Sequence, residues 1–311
     1  MKGRRILRVL ESLLGIALFV GALWVLRREL REVTLHEIVH ELQSLPGARL
    51  GASLALTSLG YLVLTAYDLV ALSCLRRSLP LRKVMYASFV GYALANNLPF
   101  AFLVGGSVRH RLYSRYGVSA RDTAALVLLN ILTYALGLAT AAALAFTLAP
   151  GTVPRLLALP FGSTRPLGLA AAAVVLAYLS WSVSGRPLRV RKRTLAPLPV
   201  STTLLQIAVS LADWIISGAA LFVLLPGGHG LSYAGFFGVF LLAQIAALVA
   251  QLPGGLGVFE AVILATLAPT LPPGSVFGAL LAYRVIYFLV PLTVAAALLG
   301  ASEGARLTRG G

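Results

Sequence analysis

Gln251-Leu252-Pro253-Gly254-Gly255-Leu256-Gly257-Val258-Phe259-Glu260 is a helix break carrying a charge, set inside a hydrophobic run long enough to lie in a membrane. The proline removes a backbone donor and the glycines free the backbone, so the apolar segment from Tyr233 to Leu252 stops here and a second helix restarts near Gly257. Non-helical backbone at bilayer depth is tolerated only where protein or a water-filled cavity supplies hydrogen-bond partners. The break therefore marks a polar interior, which is where function is expected.

Composition agrees with that setting. Of 311 residues, 59% are hydrophobic and 12% charged, and the mean hydropathy is +0.89. The apolar residues come in several runs near the roughly 20 residues that cross hydrocarbon, which defines an all-α polytopic membrane protein forming one integral membrane domain over 1–311. The formal charge of +16 sits in short loops between those runs, a pattern that points to anionic lipid surfaces and one-sided loops rather than to nucleic acid. Cys74 is the one cysteine, so no intrachain disulfide or cysteine metal cluster is expected. His36, His40, His110 and His229 lack metal spacing, and neither a metal nor a cofactor is predicted.

The chain opens with Lys2, Arg4, Arg5 and Arg8 before an apolar stretch that ends in Arg27-Arg28 without a small-residue cleavage site, so 6–26 reads as a retained spanning helix. Residues 33–46 follow with Leu35, Ile38, Val39, Leu42 and Leu45 at helical spacing behind a Thr34-x-x-Glu37 capping box, an amphipathic helix expected to lie on the membrane surface. A span over 50–75 carries Asp68. Next comes a first interrupted segment, in which Asn96-Asn97-Leu98-Pro99 breaks an apolar run and Gly105-Gly106 precede Arg109-His110-Arg111. Spans over 122–148, opened by Ser119-x-x-Asp122, and over 167–183 lead to the most basic loop, 186–193. Then come a span over 204–225 with Asp213, the second interrupted segment over 233–269, and a span over 276–299 with Arg284 and Pro291.

If both interrupted segments dip in and return, every strongly basic loop falls on one face. That places both termini in the cytoplasm of a cell inner membrane and the loops at 149–166, 226–232 and 270–275 outside. The prediction is six spanning helices plus two oppositely oriented re-entrant broken hairpins. The set span, hairpin, span then occurs twice, as repeat 1 over 50–148 and repeat 2 over 204–299. Local similarity supports the pairing, Tyr86-Ala-Ser-Phe-Val-Gly91 against Tyr233-Ala-Gly-Phe-Phe-Gly238. An inverted repeat with paired broken helices is the plan of secondary transporters, whose site lies between the breaks. The arm 233–252 would be about 30 Å as an unbroken helix, long enough to cross.

At Leu252-Pro-Gly-Gly-Leu-Gly-Val-Phe-Glu260, Ala282-Tyr-Arg284-Val-Ile-Tyr and Asn97-Leu-Pro99 with Gly105-Gly106-x-x-Arg109, the chain resembles the transmembrane flippase domain of lysylphosphatidylglycerol synthase/flippase, the multiple peptide resistance factor. The resemblance runs over about residues 5 to 300. In the full-length factor, further segments including a cytosolic acyltransferase domain make the aminoacyl lipid. Here the chain stops at Gly311, so the resemblance implies translocation without synthesis, and no enzyme.

The candidate translocation residues are Asp68, Arg109, Arg111, Asp213, Glu260 and Arg284, with helix breaks at Asn96, Asn97, Pro99, Gly105, Gly106, Pro253, Gly254, Gly255 and Gly257. Glu260 stands in the first turn of a restarted helix. It reads as a charge in the cavity or as a dipole-complementing residue paired with Arg284 to hold the hairpin. Arg109 and Arg111 read either as forks for a lipid phosphate or as snorkelling loop charges. Asp68 and Asp213 occupy corresponding spans and read as arginine partners or proton relays. The predicted function is movement of a phospholipid or lipid-linked headgroup, anionic or polyprenyl-linked, through this cavity. The alternatives are a non-transporting partner subunit of a cytosolic lipid-modifying or glycosyl transferase, and a membrane-embedded transferase.

Overall fold

The computed structural model describes residues 45–97, 101–151, 160, 162–190, 193–227, 230–250, 257–267 and 269–307. The expected first span 6–26, most of the amphipathic helix over 33–46, Pro99 and the Pro253, Gly254 and Gly255 break lie outside them.

The helices are α1 Gly47–Cys74, α2 Leu81–Ala95, α3 Ala101–Tyr113, α4 Ala120–Leu148, α5 Arg165–Ser184, α6 Val200–Phe222, α7 Tyr233–Ala250, α8 Val258–Leu267, α9 Pro273–Tyr283 and α10 Val290–Leu307. Residues Arg284–Leu289 continue α9 into α10 as a π-helical segment. Among the described residues six helical stretches are long and apolar enough to cross a membrane: α1, α4, α5, α6, α7, and the run from Pro273 to Ser302. The chain is thus an all-α polytopic protein, as its composition predicts. Between α5 and α6 the basic loop holds a small antiparallel ribbon, β1 Leu188–Val190 against β2 Arg193–Leu195, where the sequence suggests only loop.

The boundaries follow local chemistry. Ser119 caps α4, its hydroxyl accepting from the Asp122 N–H at 3.0 Å, as the capping box predicts. Asp122 in turn accepts from Arg77 at 2.8 Å, tying the start of α4 to the turn after α1. Pro166 opens α5, and Gly185 at φ 62° closes it in a conformation that suits glycine. The π-helical turns end beside Pro291, which has no N–H to offer the Tyr287 carbonyl, so the winding loosens there.

The second interrupted segment is not two equal short arms. α7 has 18 residues, about 27 Å at 1.5 Å per residue, whereas α8 has 10 residues, about 15 Å. So α7 is of spanning length, and α8 alone is too short to cross. In the first interrupted segment α2 has 15 residues and α3 has 13, both short of a span. The partners α2 and α3 pack on one another, as do α7 and α8.

Packing follows a shared plan. α1 lies against α6 down the middle of the molecule, with the Ser53 hydroxyl donating to the Ala220 carbonyl at 2.8 Å. One core gathers Leu64, Val84, Leu94 and Tyr113 from α1–α3, and it is completed by Leu292, Ala295 and Leu299 of α10. The other gathers Leu221, Phe236, Phe240 and Ile263 from α6–α8, and it includes Phe146 of α4. α4 thus enters the core built by α6–α8, and α10 enters the core built by α1–α3.

In lipid, helices associate through close van der Waals fit, and small residues allow it. A Cβ on Gly137 of α4 would overlap the Ser210 side chain of α6 and lie 2.9 Å from the Ser210 backbone carbon. Gly137→Val is therefore expected to lower stability by about 1–3 kcal/mol or more, read as a lower unfolding temperature in detergent. Unchanged melting would remove this contact as a packing constraint.

Candidate functional site

The fold brings Asp68 of α1, Arg109 and Tyr113 of α3, and Asn130 of α4 together in one buried cluster. The Arg109 Nε–H reaches both Asp68 oxygens, at 3.0 and 2.9 Å. The Tyr113 hydroxyl donates to Asp68 Oδ2 at 2.7 Å, and Asn130 Nδ2 donates to Oδ1 at 2.6 Å. Asp68 is fully buried, and the Arg109 side chain is 5% exposed. An ion pair so deep is retained only because further donors satisfy the carboxylate. The guanidinium stacks over the Tyr92 ring of α2 at 4.2 Å, while its Nη2 makes no hydrogen bond among the described residues.

Gly105 and Gly106 are not a helix break. Both lie inside α3. Their small size serves packing: a Cβ on Gly105 would sit 2.9 Å from Arg109 Nη1, and one on Gly106 would sit 3.2 Å from Val127. Gly91 of α2 closes the same slot, its added Cβ lying 3.1 Å from Nη1. Asn96 and Asn97 do end α2, where the winding gives way to a turn. Asn97 donates to the Ala93 carbonyl at 2.8 Å and to the Phe288 carbonyl at 3.3 Å, linking the first break to the π-helical segment.

Beyond the second break, Gly257 takes φ 79° and its N–H donates to Glu260 Oε2 at 2.8 Å. The other oxygen, Oε1, accepts from Arg284 Nε at 3.1 Å and also from Arg284 Nη2. Glu260 therefore caps α8 and pairs at once with Arg284 beyond α9; Arg284 is the partner the sequence suggests, whereas the cap on Gly257 is seen only in the structure. This pair is less enclosed than the first, the side chains being 19% and 12% exposed.

Asp213 on α6 is buried but does not join either pair. Its Oδ2 accepts from the Tyr67 hydroxyl at 2.9 Å, and Tyr67 also lies 2.7 Å from Ser210 Oγ. Arg111 is buried at the end of α3, away from the snorkelling position expected of a loop charge. Sequence reasoning missed Tyr67, Tyr92, Tyr113 and Asn130. Two signals were available: Tyr113 follows Arg109 by one helical turn, and Asn130 is a lone amide in an apolar span.

One buried and one half-buried ion pair, each with a member on a helix too short to cross, enclosed by apolar spans, define a polytopic helical membrane protein with a charged interior. The chain belongs to the lysylphosphatidylglycerol synthase transmembrane-region family, whose pattern matches residues 12–295. It is 38% identical over 303 residues to the uncharacterized protein slr0712 of Synechocystis sp., covering 96% of this chain and 94% of that protein. It is 30% identical over 292 residues to the inner membrane protein YbhN of Escherichia coli K12, covering 93% of this chain and 91% of YbhN. It is also 21% identical over 303 residues to the phosphatidylglycerol lysyltransferase of Staphylococcus haemolyticus, covering 94% of this chain but 34% of that protein.

Proposed function

We propose that the chain moves an anionic phospholipid or a polyprenyl-linked headgroup across the inner membrane, without catalysing a reaction on it. The observation that carries this reading is the unequal enclosure of two intramembrane ion pairs. Asp68 with Arg109 is 0% and 5% exposed, whereas Glu260 with Arg284 is 19% and 12% exposed. Charged groups inside a membrane are costly and line pathways or relays when they persist. One closed and one open pair are what a device of alternating access presents in one of its states. In this reading residues 50–148 and 204–299 are inverted repeats, and their broken helices are the moving hairpins. Rocking of one repeat against the other exposes Arg109 and Glu260 in turn. Arg109 then offers its fork, and Arg111 its charge, to a lipid phosphate while the tails stay in the bilayer.

The staphylococcal relative favours a second reading, because this region forms about a third of a protein named for a lysyltransferase. In that reading the chain acts as the membrane partner of a cytosolic transferase and transports nothing itself.

Headgroup accessibility in proteoliposomes separates the two. Aminoacylated phosphatidylglycerol, plain phospholipids and a polyprenyl-phosphate sugar are presented to wild type, Glu260→Gln, Arg109→Lys and empty vesicles. Translocation of one of these lipids above the empty-vesicle rate is expected, with both variants folded and slower. Arg109→Lys keeps the charge but loses the planar fork, so its defect reports on phosphate recognition. Equal rates in wild-type and empty vesicles for all the lipids would favour the partner reading, to be followed by co-purification with a transferase.

A further inference from the structure

The two intramembrane aspartates differ in what answers their charge. Asp68 has a guanidinium, a phenol and an amide on it. Asp213 is 5% exposed, and among the described residues no donor meets its Oδ1 in good geometry, the Ser217 hydroxyl being the polar group beside it. The titratable groups that face Asp213 are phenols: Tyr61 and Tyr67 of α1, Tyr92 of α2, Tyr134 of α4, and Tyr283 and Tyr287 across from it. Ser217, one turn along α6, lies beside the carboxyl and shares its hydroxyl with Tyr287 at 2.7 Å. Among the described residues no arginine, lysine or histidine forms an ion pair with Asp213. A buried carboxyl group without a cation is stable as the neutral acid, and it ionises only when something else supplies the compensation.

The hydroxyl chain next to it suits both states. Tyr67 has one phenolic proton and two oxygen neighbours, Asp213 Oδ2 at 2.9 Å and Ser210 Oγ at 2.7 Å. With Asp213 ionised, Ser210 donates to Tyr67 and Tyr67 donates to the carboxylate. With Asp213 protonated, the acid donates to Tyr67 and Tyr67 donates to Ser210. The hydrogens reverse direction while the heavy atoms stay where they are. Tyr67 also meets the Tyr92 ring edge-on at 6.2 Å, and Tyr92 is the ring beneath Arg109. A continuous run of contacts, Asp213 to Tyr67 to Tyr92 to Arg109, therefore joins the carboxyl to the guanidinium.

We propose that Asp213 is a proton-binding site that couples proton movement to the passage of an anionic headgroup, an inference that rests on the translocation reading. A proton from water on one side converts the carboxylate to the acid and removes a negative charge from the cavity. The anion enters beside Arg109 against less repulsion. On the other side the acid releases that proton to water as the headgroup leaves, which regenerates the carboxylate. Proton and lipid move in the same direction, one proton for each unit of charge compensated.

Two measurements test this. In the first, proteoliposomes carry an anionic phospholipid with a headgroup reporter and a pH difference of one unit across the membrane. For one coupled proton the leaflet ratio of the reporter is expected to shift by up to about tenfold toward the less acidic side. The shift should reverse with the gradient and vanish with a protonophore. In Asp213→Asn the ratio should not respond to the gradient. Translocation that proceeds in wild type with no response to the gradient would overturn the coupling and leave the translocator intact. The second measurement does not need transport: infrared difference spectra of wild type minus Asp213→Asn in nanodiscs near neutral pH. A protonated-carboxyl stretch lost in Asp213→Asn, and shifted in frequency by Tyr67→Phe, is expected. A carboxylate signature in its place would overturn the proton site even if no lipid moves. If Asp213→Asn fails to fold, the shift in Tyr67→Phe against wild type carries the same decision.

Discussion

Arg109→Ala is expected to lose on the order of 3–5 kcal/mol of stability, because it leaves the buried Asp68 carboxylate without its cation. Tyr113 and Asn130 remain as donors to the carboxylate, but hydrogen bonds alone do not neutralise a charge in this setting. The measurement is the unfolding midpoint in detergent, alongside the double variant Asp68→Leu/Arg109→Met. Replacing both partners by apolar side chains of similar size is often neutral or stabilising. The double variant should therefore recover most of the lost stability and yet move no lipid. Recovery of both stability and translocation would reduce the pair to a strut, and failure to recover either would mean that the cluster specifies the fold.

Glu260→Ala is expected to cost about 2–4 kcal/mol, the sum of two losses. The partly exposed pair with Arg284 is worth less than the buried one, about half of it after solvent screening, and the helix cap on Gly257 adds about 1 kcal/mol. Glu260→Gln keeps an oxygen for the Gly257 N–H and removes only the charge. A comparison of the two melting curves therefore apportions the effect between cap and ion pair. Equal losses in the two variants would assign the whole effect to the charge. Near-wild-type melting of Glu260→Gln with abolished translocation would mark the charge as functional beyond its structural role.

Much of the architecture was legible because membrane helices obey few rules. An apolar run near 20 residues declares itself, and the spans read around Asp68 and Asp213 and from Asp122 overlap the observed α1, α6 and α4 along most of their length, the first two overrunning Cys74 and Phe222 at their ends. The Ser119 cap was legible for a similar reason: a hydroxyl and an acid three residues apart act locally. The Glu260 and Arg284 pairing, 24 residues apart, could be proposed because each was the one charge in an adjoining apolar segment. What resisted reading depends on distant geometry. The partner of Asp68 is 41 residues away, and no spacing rule connects them. Gly105 and Gly106 resemble breakers in the sequence, yet inside α3 they make room for a guanidinium and a neighbouring helix, a role visible only once α2 and α4 are in place. The π-helical turns before Pro291 follow from the missing donor of proline, but the sequence alone does not say whether the helix kinks, breaks or widens there.

The exchange of closing helices has a mechanical consequence. Phe146 belongs to α4 but is packed among residues of the second half, and Leu292 and Leu299 belong to α10 but are packed among residues of the first. Neither half owns a finished interior, so the two are interlocked like clasped hands. A displacement of α7 and α8 pulls on α4, and a displacement of α2 and α3 pulls on α10. A load placed on either group of helices is thereby shared with the other through side chains already in contact.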